Sequence, residues 1–261
     1  MAQSIKKLLS ICVNEKDVEN AYKTLFNEYY SGCISSPCKT DGILRGKDIS
    51  ALLEFKHSVD LSNPLERAAV IVQCLYYLKN LEINDVEIPK VVFIGDIDEC
   101  FCIPTSSISD YLKRTLDWTL PPSTAAGLSP ELMLEISSDQ KIEPFVYVVD
   151  DRFDFLDVVE KMKKITIGLP YSISITSHNI AQAFKVFSDY VVLKSDHNLV
   201  DVFFTCLTSP GEAYLHPGKK NVLVVRDYTI SVKSDRFRAF FQQFKQYNTV
   251  VFSVASLDKK S

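Results

Sequence analysis

Asp41, Glu54 and Lys56 bring two carboxylates and an amine together in the stretch Thr40 to Lys56, TDGILRGKDISALLEFK. Read with period two, Leu52, Glu54 and Lys56 project from one face of a strand, and Ala51, Leu53 and Phe55 from the other. Asp41 to Arg45 is a short apolar run, and Gly46, Lys47 and Asp48 supply turn chemistry, so the simplest arrangement is an antiparallel hairpin. A two-residue turn at Gly46-Lys47 places Asp41 opposite Leu52; a four-residue loop places it opposite Glu54. In either register the carboxylates share a face and lie within one diagonal step. Burying them together unpaired is costly, because desolvation and like charge both raise a carboxyl pKa. A divalent cation removes that cost, and hard oxygen ligands of this kind suit magnesium. The bare D-x12-E-x-K spacing is common by chance, and a solvated hairpin face with a Glu/Lys alternation accounts for most of its occurrences.

The elements around the hairpin must position these groups. Asn14 is a good N-cap with Asp17 at N3, and Val18, Ala21, Tyr22, Leu25 and Tyr29 form one apolar stripe, which predicts a helix over 14–30. Residues 31–40 lead into the hairpin as a loop. After it, Asn63, Pro64 and Glu66 supply an N-cap, a proline at N1 and a capping-box glutamate. The helix they open has Ile71, Cys74, Leu75 and Leu78 as its main stripe and Val70 and Tyr77 on the far side, so it is expected to be buried all round. Gln73 and Tyr77, one turn apart, carry polar atoms into that enclosed place and need partners there. Lys90 to Gly95, KVVFIG, is a buried strand, and Asp96-Ile97-Asp98 turns it into a second strand through Cys102.

This arrangement resembles the PD-(D/E)XK nuclease family, with Asp41 as the D and Glu54-Phe55-Lys56 as the E-x-K. Thr40 stands where the family name has proline. Gln73-Cys74-Leu75-Tyr76-Tyr77 fits the Q-x-x-x-Y extension of RecB-like exonucleases and type I restriction nucleases, and the order of elements over residues 14–115 is the family's. The resemblance implies a restriction-endonuclease-like α/β fold, a mixed central sheet flanked by helices, followed here by a second α/β region. It implies a magnesium-dependent DNA endonuclease, with manganese as a substitute ion. Asp41, Glu54 and the Phe55 backbone carbonyl would hold the metal. Lys56 would orient the attacking water and stabilise charge on the phosphate, with Gln73 and Tyr77 beside them. An acidic residue of the first helix often joins such sites; Glu19 is the candidate and Glu15 the reserve. The other class of function is a catalytically inert nuclease-like module that binds DNA or a protein partner.

A remote rival is the D-x-D at Asp96 and Asp98, which looks like the nucleophile motif of haloacid-dehalogenase-type phosphatases, with Asp150-Asp151 as a late acid pair. Cys100 stands where that motif has Thr or Val, and an ordinary hairpin turn explains the two aspartates better.

Composition sets the bounds. The 261 residues are 46% hydrophobic and 24% charged, as befits a core-forming globular chain. The net charge of -4 argues against a broadly basic nucleic-acid coat but leaves room for a local basic groove. Seven cysteines without a C-x-x-C pair, and only four histidines, fit a reducing compartment rather than a zinc ribbon. No signal peptide or membrane-length apolar run is evident, so a soluble, cytoplasmic protein is expected.

The expected division is a nuclease domain over 1–115, a linker over the Pro/Ser-rich residues 116–144, and an α/β accessory domain over 145–261. In the last, FVYVVD, SISIT (172–176) and Tyr190 to Leu193 read as strands, and Phe153 to Lys164 and Ile180 to Phe187 as helices. Their alternation predicts some parallel pairing. NVLVVRDYTISV suggests a hairpin across Arg226-Asp227, Asp235 to Tyr247 a helix, and TVVFSV a final strand. His178, His197 and His216 fall in separate loops. Lys219, Lys220, Arg226, Lys233, Arg236 and Arg238 gather positive charge. The phrases VDVFFTCLT, LHPGKKNVLVV and SDRFRAFFQQF resemble the segment joining nuclease and methyltransferase in single-chain type IIG restriction-modification enzymes. That resemblance implies a methyltransferase and a target-recognition region as partners in the same longer chain or complex.

Overall fold

The computed structural model of the protein describes residues 5–139, 141–142, 145–151, 153–169, 171, 180–192, 198–208, 211–219, 222–226 and 228–232. The chain forms two compact units, Met1–Leu169 and Pro170–Ser261.

The first unit opens with a short helix, α1 (Ile5–Leu9), and the expected long one, α2 (Glu15–Tyr29). Asn14 caps α2 by accepting the Asp17 N–H. The short strand β1 (Ile34–Ser35) then precedes the hairpin strands β2 (Gly42–Arg45) and β3 (Ser50–Phe55). Helix α3 (Pro64–Ile83) crosses over to β4 (Val91–Gly95), which turns into β5 (Glu99–Pro104). Helices α4 (Pro122–Leu128) and α5 (Pro130–Ser138), strand β6 (Tyr147–Val148) and helix α6 (Phe155–Thr166) complete the unit.

The sheet order is β1-β2-β3-β4-β5-β6, so the strands follow one another in space as in sequence. Only β3 and β4 run parallel, joined by the α3 crossover; the other neighbours are antiparallel. The mixed α/β sheet flanked by helices is therefore as expected. Ile43, Leu52, Val92, Ile94, Phe101 and Ile103 pack on the side of α3, α4 and α5. Leu44, Ala51, Leu53, Phe55, Val91 and Phe93 pack on the side of α2 and α6. All of β4 is buried, as a central strand covered on both faces must be.

The expected division of the chain is corrected. Residues 116–144 are not a linker between domains: α4 and α5 lie against α3, and Ala125, Leu132 and Ile136 are part of its core. Strand β6 extends the first sheet by pairing with β5, and α6 buries Phe155, Val158, Val159 and Met162 against it. The boundary falls after Leu169.

In the second unit, α7 (Ile180–Tyr190) leads directly into β7 (Val191–Val192), and α8 (Leu199–Thr208) into β8 (Ala213–Leu215). The expected hairpin is present as β9 (Val222–Val225) and β10 (Tyr228–Val232). The sheet order is β7-β10-β9-β8, and every described pair is antiparallel. This corrects the expected parallel pairing: the links from β8 to β9 and from β9 to β10 are too short for a crossover. The strand expected at 172–176, the helix at 235–247 and the final strand lie outside the described residues. No helix among the described residues is long and apolar enough to cross a membrane.

Candidate active site

The hairpin register decides between the two alternatives. Gly42 pairs with Leu53 and Arg45 with Ser50, so the loop is the four residues Gly46 to Ile49. Continued by one step, this register sets Asp41 opposite Glu54. Asp41 itself lies just outside β2, and its carboxylate turns to the neighbouring strand end, where the Phe55 N–H donates to Oδ2 at 3.1 Å. The residue whose carbonyl is the expected third ligand thus already has its N–H on the first one.

Glu54 follows the alternation of β3 onto the α3 side and is fully buried. Its Oε1 accepts from Lys56 Nζ at 2.6 Å. Its Oε2 is buried without a hydrogen-bond partner. Burial, with the Asp41 carboxylate adding to it and Lys56 opposing, pushes Glu54 up to about 8. Burial likewise raises Asp41, against the Phe55 N–H and Lys56. For Lys56, burial works against the charge, but Glu54 and Glu15 outweigh it and hold the ammonium above the ordinary lysine value. Glu15 approaches Lys56 Nζ at 3.2 Å from the first turn of α2.

Helix α3 supplies the roof. Cys74 is buried, and its thiol is pushed up by burial and by Glu54; Tyr77 is raised by the same two causes. Gln73 Nε2 lies 3.4 Å from Tyr77 Oη, so these two polar groups satisfy each other, and neither hydrogen-bonds to Asp41, Glu54 or Lys56. The Q-x-x-x-Y pair is brought to the carboxylates' side of the sheet, near enough for Glu54 to act on Tyr77 but without a hydrogen bond to the E-x-K.

Glu19 is placed differently from expectation. Its Oε1 accepts from Lys16 at 2.7 Å and from Lys23 at 2.6 Å. Burial raises its pKa, but the two ammonium groups prevail and keep it low. It is thus committed to lysines, while the reserve, Glu15, reaches the site through Lys56. Lys23 is the residue that sequence reasoning missed: its Nζ also donates to the Asp41 carbonyl at 2.5 Å. The Glu19/Lys23 spacing of i and i+4 on a helix was the available signal.

Of the expected carboxylate ligands, Asp41 and Glu54 are the two that lie together. Among the described residues no group of three or more His, Cys, Asp or Glu could hold a metal ion. Two carboxylates with a backbone carbonyl and water nevertheless match how magnesium is commonly held. The buried, unpartnered Glu54 Oε2 is a vacant acceptor of the right chemistry, so the residues fit the ion.

The rival D-x-D is structural. Asp96 Oδ2 accepts the Val59 N–H at 3.0 Å and Oδ1 the Asp98 N–H at 3.3 Å, and Asp98 pairs with Lys6. Of the basic group near the C-terminus, Arg226 is committed to Glu212 and Asp201, and His216 Nδ1 accepts the Gly218 N–H. His178, His197, Lys220, Lys233, Arg236 and Arg238 lie outside the described residues. Comparison with protein-family models, with curated proteins and with solved structures gives no match.

Proposed function

We propose that the first unit is a magnesium-dependent DNA endonuclease domain that hydrolyses phosphodiester bonds, and that it works as part of a restriction-modification enzyme. The observation that carries this reading is the convergence of Asp41 and Glu54 beside Lys56, with one Glu54 oxygen buried and unpartnered. Asp41, Glu54 and the Phe55 carbonyl would hold the ion, which when bound would supply polarisation of the scissile phosphate and a water of lowered pKa. In the metal-free chain Glu54 and Glu15 hold the Lys56 ammonium above the ordinary lysine value, which favours a role as donor and positive charge. It orients the water and stabilises the charge that develops on the phosphate oxygens. Tyr77 and Gln73, linked to each other, close the α3 side against solvent and limit where the phosphate sits. The methyltransferase and target-recognition partners rest on the C-terminal phrases alone.

A second reading, an inert nuclease-like module, is favoured by the closure of Lys56 between Glu54 and Glu15. In that case the cluster only ties the start of α2 to the end of β3. Manganese binding by the whole chain separates the two readings. The nuclease reading expects one Mn2+ bound by the wild type, lost in Asp41→Asn and Glu54→Gln, and magnesium-dependent DNA cleavage that disappears in the same variants. A wild-type chain that binds no divalent cation near neutral pH leaves the inert module standing.

A further inference from the structure

We propose that Lys23 is a positioning residue that fixes the Asp41 peptide, and through it the Asp41 carboxylate, for the cation; the inference rests on the metal-site reading above. Asp41 stands one residue outside the β2–β3 ladder, so strand pairing does not hold it. Its carbonyl is held instead by Lys23 Nζ at 2.5 Å and by Ser36 Oγ at 3.0 Å. With the Phe55 N–H on Oδ2, both ends of the residue are then fixed. A charge-assisted bond to a carbonyl is stronger than a neutral one, so Lys23 is the firmer of the two carbonyl anchors.

Lys23 is itself prepared for this contact. Glu19, one turn earlier on α2, takes the same ammonium at 2.6 Å, and the side chain is 22% exposed. The lysine stem runs over Gly42. A Cβ there would meet Lys23 Cε at 3.4 Å, with Ile34 Cγ2 at 3.2 Å and Leu53 Cδ1 at 3.3 Å. The tighter approaches at Gly42 are thus to Ile34 and Leu53, with the lysine stem at ordinary contact. In this arrangement the first helix contributes a lysine that orients the aspartate, and Glu19 serves to hold that lysine.

The test uses the full chain, with Lys23→Met, which keeps the stem and removes the donor, and Lys23→Arg, which restores one. In metal-free protein, amide exchange at Phe55 reports whether Asp41 still accepts its N–H. Lys23→Met is expected to speed that exchange at least tenfold, and Lys23→Arg to return it toward the wild-type rate. Mn2+ titration followed by electron paramagnetic resonance is expected to show a 10- to 100-fold weaker Kd for Lys23→Met, the range in which losing an outer partner of a ligand falls. Unchanged Phe55 exchange in Lys23→Met overturns the inference, whatever the metal does. Wild-type protein without Mn2+ binding overturns the metal reading instead, and the Phe55 exchange still decides the role of Lys23.

Discussion

At Glu54 a carboxyl sits where water does not reach, with one oxygen on Lys56 and the other on nothing. Its folded pKa of about 8 lies above the ordinary glutamate value of 4.5, so between those two pH values the folded state binds a proton that the unfolded chain does not. Stability is then greatest below the unfolded value and falls as pH rises toward 8. Lys56, whose pKa is raised, stays protonated in both states across this window and contributes no slope there. Asp41 and Asp96, also raised by burial, act in the same sense nearer their ordinary range. Urea unfolding in a chelator between pH 5 and 8 should therefore show a loss on the order of a few kcal/mol in the wild type. Glu54→Gln should run nearly flat, and a parallel fall in both would assign the slope elsewhere. On the proposed metal-site reading a cation would replace that proton, and magnesium should then protect most at the alkaline end. Lys56→Ala is a separate case, because it frees Glu54 Oε1. It should abolish cleavage, a loss of about a hundredfold or more, while Mn2+ binding persists. Cleavage at the wild-type rate would remove Lys56 from the chemistry.

Between elements, the close approaches at glycine decide how firmly the site is held. Gly95 ends β4, pairs with Phe55, and accepts the Lys56 N–H at 2.9 Å. A Cβ at Gly95 would stand 2.7 Å from Tyr22 Cε2 and 3.0 Å from Phe93 Cε1, inside the aromatic packing of α2 on the sheet. Gly95→Ala must push the Tyr22 ring or the strand end aside, at a cost of about 1–3 kcal/mol. Chemical denaturation would read that loss, and an unchanged midpoint would mean that the Tyr22 ring yields freely. The same packing explains what was legible in the sequence. Period-two alternation gave the two faces of β3 correctly, since burial on each face is a local pattern. The hairpin register was left open because the loop is chosen from outside it: Gly46 lies against the Tyr30 ring from the end of α2 and bonds to the Ile49 carbonyl. The carboxylates and Lys56 were found by residue type and spacing. The Glu19/Lys23 spacing marks an ion pair on α2, but the bond from Lys23 to the Asp41 carbonyl has no mark in the sequence.

For the whole molecule, the prolines of 121–130 illustrate how one residue type supports opposite readings. Pro122 and Pro130 start α4 and α5, where a missing N–H costs nothing, so they open helices that pack on α3 and do not mark a break between domains. Among the described residues, both core clusters of the first unit draw on residues up to Ile165. A chain ending at Leu169 should accordingly fold alone, with one cooperative thermal transition and native helix content by circular dichroism. A chain ending at residue 144 loses β6 and α6, and with them Phe155, whose ring packs on Phe26 at 4.8 Å and on Tyr22 at 5.9 Å. Losing Phe155, Val158, Val159 and Met162 forfeits on the order of 10 kcal/mol of apolar burial, comparable with the whole stability of an ordinary domain. It also leaves β5 as an open edge beside an uncovered sheet face, which favours aggregation. The shorter chain is expected to be insoluble or to lack a cooperative transition. Cooperative melting of 1–144 at a temperature close to that of 1–169 would show that α6 only decorates the core and that the fold ends earlier than Leu169.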